Sequence, residues 1–123
     1  MLVRKVADHQ VKQSPWCGEI REILTGAAYR PLSVAVALDI RPTKGHYHRG
    51  FDEIYFVLDG SLTLRLHDPA TRKTWTEMLN ANELLVISKG LHHGVVEASA
   101  GNRLCVLCSP PFDPHDETSS DRI

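Results

Sequence analysis

The chain has 123 residues, of which 42% are hydrophobic and 24% charged. That is the size and composition of one globular domain with a real core. Its 14 basic and 15 acidic residues give a net charge of −1, which argues against a nucleic-acid footprint or a basic membrane-binding face. No apolar run approaches the roughly 20 residues needed to span a bilayer.

Met1 to Gln13 lacks the apolar core of a signal peptide, so a cytoplasmic location is expected. Glu19–Leu24 is ambiguous: Ile20, Ile23 and Leu24 fall at helical spacing, but six residues among so many strand patterns favour a strand. From there short apolar runs recur at the close spacing of an all-β barrel or sandwich. Residues 33–40 form one. Residues 53–58 and 61–67 flank Asp59-Gly60, the signal of a tight hairpin, and Leu62, Leu64 and Leu66 alternate with Thr63, Arg65 and His67. Strand patterns follow at 74–79, 84–87, 92–98 and 103–108. The barrel is expected to occupy residues 1–109. Residues 110–123, with Pro110, Pro111 and Pro114 and then polar and acidic residues, read as an extended tail of low order or one draped over a partner subunit.

Cys17, Cys105 and Cys108 are an odd number for a disulfide framework and fit a reducing compartment. Cys105 and Cys108 lie in an apolar strand pattern, where residues three apart point to opposite faces. They read as packed thiols rather than as a shared metal site.

Chemistry concentrates in Gly45-His46-Tyr47-His48 and Glu53. Imidazole and carboxylate hold divalent first-row metals. On a strand, His46 and His48 present both rings to one face, and Gly45 and Gly50 are expected to allow the bends that bring them to Glu53. His93 would complete the set from another strand; strand parity sends the adjacent His92 the other way. His67 and His115 read as surface histidines.

The run from Gly45 to Gly60 resembles the His-x-His…Glu…Gly element of the cupin superfamily, and Asn82 to His93 resembles its second element. The resemblance implies a double-stranded β-helix with His46, His48, Glu53 and His93 as ligands to Fe, Mn, Ni, Co or Zn. Two departures stand out: Asn82 replaces a glycine, and both residues tolerate positive φ, while Ser88 stands where proline is common. Glu97 shares a strand face with His93 by simple alternation. It is either a pocket carboxylate serving as general base or a solvent-facing residue. Tyr55, two residues after Glu53, is a second candidate for the pocket, or a core tyrosine.

Since fold does not settle function, two readings follow. One is a metalloenzyme of isomerase or dioxygenase type acting on a small polar metabolite. The other is a non-catalytic barrel that binds a sugar-like small molecule around an anchoring metal. The resemblance also implies a homodimer, in keeping with the largely apolar strand 33–40.

Overall fold

The computed structural model describes residues 1–14 and 18–123; Cys17 therefore lies outside the described residues. The strands are β1 (Lys12–Ser14), β2 (Gly18–Leu24), β3 (Ser33–Leu38), β4 (His46–Tyr47), β5 (Asp52–Asp59), β6 (Ser61–Asp68), β7 (Lys73–Asn80), β8 (Leu84–Ile87), β9 (His92–Ala98), β10 (Arg103–Ser109) and β11 (Thr118–Ser119). Every ladder among them is antiparallel. They form one sheet in the order β1-β2-β3-β10-β5-β8 and another in the order β11-β4-β9-β6-β7. The ambiguous segment 19–24 is thus a strand, with Ile20 packed against the core.

The period-2 pattern explains what fills the barrel. Tyr55 and Val57 from β5, Leu62, Leu64 and Leu66 from β6, and Leu104 and Val106 from β10 are all buried in one cluster. Each comes from an alternating strand that turns every second side chain inward. Removing such residues from water at about 25 cal/mol per Å² supplies the main stabilising term.

The expected hairpin at Asp59-Gly60 is corrected. The turn exists, with Gly60 at φ +78°, but β5 and β6 belong to different sheets and do not pair. Both edges of β5 are already engaged. β10 takes one, and β8 with the preceding Asn82 and Glu83 takes the other, through Val57 N–H to Glu83 O at 3.0 Å and Asn82 N–H to Val57 O at 2.8 Å. Ser61 instead exchanges hydrogen bonds with Ser99. The turn is therefore a corner carrying the chain from one sheet to the other. Glycine is needed there twice over, since a Cβ would also collide with the Ser99 hydroxyl. Asn82 does adopt positive φ, at +69°, as its substitution for glycine implies.

Residues 110–123 are not a loose tail. They return across their own barrel and end in β11, which pairs with β4. Polar anchors fix the strap: Asp116 accepts the N–H groups of Arg49 and Gly50 at 2.9 and 2.6 Å. The strap also bears on the two glycines and explains one other correction. The chain bends at Gly50, as expected, though neither Gly45 nor Gly50 has a positive φ. Cβ atoms there would lie 2.8 Å from Ile123 and 2.9 Å from Asp116 Oδ2, so both glycines also make room for the strap. His67 is buried rather than exposed. Its Nδ1 lies 2.8 Å from Thr74 Oγ1, its ring packs edge-on against His92, and His92 in turn contacts Ser120 of the strap. His115 is exposed, as expected.

Candidate metal centre

His46 on β4 pairs directly with His93 on β9, and His48 follows just beyond β4. Parity keeps all three rings on the inner face, where they are buried. Their ring nitrogens form a group whose ligand atoms all lie within 4.8 Å of one another, a group able to hold a metal ion. His92 points the other way, stacking on Tyr47 at 4.2 Å between centroids.

The orientation of the rings carries the chemistry. Each Nδ1 faces a backbone carbonyl oxygen: His46 that of Lys44 at 2.9 Å, His48 that of Asp116 at 2.7 Å, and His93 that of Leu91 at 3.0 Å. A carbonyl only accepts, so each Nδ1 carries the proton, and in the neutral ring Nε2 presents its lone pair. This is the way metal-ligating histidines are held by their surroundings. Nε2 of His48 and of His93 are buried and make no hydrogen bond.

Glu53 on β5 brings a carboxylate to the same point. Its Oε1 stands 3.1 Å from His93 Nε2 and 3.7 Å from His48 Nε2, buried and without a well-aligned hydrogen bond. Its other oxygen receives only a long 3.8 Å contact from the Cys108 thiol. Burial pushes the Glu53 pKa up, but His48 and His93 outweigh it and hold the carboxyl well below its usual range. Burial, seconded by His93, lowers His46 to about 4, so this ring is neutral at physiological pH. Burial also lowers His48, yet Glu53 and the Asp116 carbonyl reverse the balance and leave it raised. The centre attracts positive charge. A proton on His48 meets part of that demand, and a divalent cation would meet it more fully.

Phe51 closes one side, stacking on His48 at 4.3 Å, with Phe112 of the strap edge-on behind it at 5.8 Å. Beyond Glu53 a cavity of about 500 Å³ opens between β2, β3, β10 and the strap. Its walls are mostly apolar, including Ile20, Leu24, Ala35, Val106 and Phe112. Cys108 faces it, and burial raises this thiol far above its usual range, so it is an inert core thiol. Cys105 lies on the opposite strand face, as alternation requires.

Two sequence candidates fare differently. Tyr55 is buried beside the centre, its ring 6.3 Å from that of His93. Glu97 does not enter the barrel and is exposed. On β9, Val95 pairs with Leu64 but Glu97 pairs with Thr63, so Val96 is an extra residue. This bulge reverses the alternation. Ala98, not Glu97, returns to the inner face opposite Leu62. Sequence reasoning missed Asp116 and Glu117, because a proline-rich end gives no periodic signal. Glu117 lines the cavity, and its Oε1 is buried with no hydrogen-bond partner.

No protein-family profile matches the chain, and no curated protein matches it in sequence. Solved structures do match. A protein from Planctomyces limnophilus is 25% identical, with a TM-score of 0.78 over 95% of this chain and 94% of that one. Streptomyces PAC13, in a variant solved with uridine, is 12% identical, with a TM-score of 0.76 over 98% of this chain and 91% of its own. Oxalate decarboxylase from Bacillus subtilis is 15% identical, with a TM-score of 0.77 over 97% of this chain but only 33% of its own. The fold is that of a double-stranded β-helix, and its buried histidine group could hold a metal ion. The chain shares its fold with these cupin-type barrels.

Proposed function

We propose that this chain is a cupin and a metal-dependent enzyme acting on a small molecule, with His46, His48, Glu53 and His93 as the ligands. The observation that carries the reading is the set of three Nδ1–H donors tied to backbone carbonyls around one buried carboxylate. A divalent ion held there supplies Lewis acidity toward a carbonyl or carboxylate, or a place for dioxygen, which are the isomerase and dioxygenase branches. The chain's own residues do the rest. The Phe51 and Phe112 rings exclude water on one side, and Tyr55 packs beside His93. The about 500 Å³ cavity receives the ligand next to Glu53.

One observation favours a second reading, a non-catalytic binding barrel with an anchoring metal. The exposed position of Glu97 fits the solvent-facing alternative and removes one candidate general base. Among the described residues Glu117 is the remaining carboxyl at the cavity that is not itself a proposed ligand or half of an ion pair.

We further propose a cytoplasmic homodimer. The outer face of β8 leaves Leu84 and Val86 exposed, next to Ile54 and Phe56 of β5, an apolar patch suited to an isologous contact. Among the described residues no helix is long and apolar enough to cross a membrane.

Elemental analysis of protein purified without added metal tests the central claim. About one iron, manganese, nickel, cobalt or zinc per chain is expected; iron favours oxygen chemistry, and zinc or manganese the isomerase branch. A metal-free protein that takes up none of the five would overturn it.

A further inference from the structure

The cavity beside Glu53 has a distinctive balance of charge. Its apolar walls come from both sides of the barrel mouth, β2 and β3 on one side and Phe112 and Pro114 of the strap on the other. Its charged lining among the described residues is Lys12, Glu22, Glu53 and Glu117. Lys12 Nζ and Glu22 Oε2 are paired at 2.9 Å, so they cancel. Arg21, between the cavity-lining Ile20 and Glu22, lies on the other strand face, its guanidinium donating to Val6 O at 3.3 Å. Two carboxylates remain with no lysine or arginine of these walls beside them among the described residues; the nearest positive charge is a proton on His48, shared between them.

A divalent ion at the histidine group would balance Glu53 and Glu117, leaving no surplus positive charge for an anionic ligand. Among the described residues, a small dianion such as oxalate would find no guanidinium on these walls, and the one ammonium there is committed to Glu22. Glu117 Oε1, buried and lacking a hydrogen-bond partner, calls for a donor from whatever fills the cavity. Burial also raises Glu117 to about 7, which fits a carboxyl short of polar partners.

We infer that the cavity takes an uncharged or cationic ligand with an apolar body bearing a hydroxyl or amine, and that Glu117 receives its hydrogen-bond donor and rejects anions. The uncharged case rests on the metal-site reading above; the rejection of anions does not.

Three probes with one ring and different charge test this: benzylamine, benzyl alcohol and benzoate, titrated calorimetrically at pH 8, where Glu117 is ionised, into metal-free and zinc-loaded protein. In the metal-free protein benzylamine is expected to bind more tightly than benzoate. Glu117→Gln should shrink that preference about tenfold, the scale of one nearby charge in a partly buried site. In the zinc-loaded protein benzyl alcohol should bind, and more weakly in Glu117→Gln. Phe112→Ala should weaken all three probes without altering their order, which separates loss of the wall from loss of the charge. Benzoate binding as tightly as benzylamine to the metal-free protein would overturn the inference, as would an unchanged preference in Glu117→Gln or no binding of any probe. If zinc is not taken up while the charge preference and its Glu117 dependence hold, the metal-site reading falls and the role of Glu117 stands.

Discussion

The His48 Nδ1–H donates to the backbone carbonyl of Asp116 at 2.7 Å, across 68 positions of sequence. The same residue's carboxylate accepts the N–H groups of Arg49 and Gly50, so the strap and the loop after β4 hold each other in register. Asp116→Ala removes those two anchors and leaves the carbonyl free to drift. Metal affinity should fall about tenfold, at the lower end for outer partners of metal-ligating histidines. Competition with a chelator of known affinity measures it; an unchanged affinity would show that the strap does not orient His48.

Replacing a ring should be harsher than loosening one. His93→Ala is expected to lose the metal, and with it the stabilisation that metal binding confers. Zinc at about 100 times its dissociation constant adds about 2.7 kcal/mol to a protein that binds it only when folded. The wild type should therefore melt several degrees higher with zinc than without, and His93→Ala should show no shift. A zinc-dependent shift retained by the variant would place the ion elsewhere.

Stability of the metal-free protein should depend on Glu117. Its pKa is raised to about 7 by burial and by the carboxylates of Glu53 and Asp116, with His48 opposing; the Cys108 thiol is also near. Between the ordinary glutamate range and pH 7 the folded chain binds more protons at this site than the unfolded chain does. Stability from this group is thus complete at low pH and is lost as pH rises through about 7. For a half-exposed carboxyl the screened loss is about 1 kcal/mol. Glu117→Gln should remove it, so variant and wild type should differ more at pH 8 than at pH 4.5 in urea denaturation. Bound metal should flatten the dependence, because a nearby cation favours the carboxylate.

Glu97→Gln should change little. The side chain is exposed on the bulged end of β9, and such substitutions fall within about 0.5 kcal/mol. Metal content and turnover should match the wild type. A large loss of either would mean that the bulge does not hold in solution.

Much of this molecule was legible in the linear chain. The alternation of Leu62, Leu64 and Leu66 and the flanking turn residues marked β6, and similar patterns marked β2, β3, β5 and β7–β10. The parity of His46 and His48, and of His93 against His92, forecast which rings share the inner face, because a period of two is a local property of extended backbone. The corrections arise where the outcome depends on distant partners. Whether Asp59-Gly60 makes a hairpin or a corner depends on which strands occupy the edges of β5, and those lie at 84–87 and 103–109. One extra residue at Val96 decides where Glu97 points, and that bulge exists only in register with β6.

The sequence by itself determined most of the strands, the inward set of apolar residues and the histidines that converge, since each follows from local periodicity and residue chemistry. Only the tertiary structure decided that residues 110–123 fold back on the barrel. That docking depends on Gly45 and Gly50 leaving space and on Asp116 finding two N–H groups far away in sequence. Through it the chain end becomes part of the site: Asp116 steadies His48, and Glu117 lines the cavity.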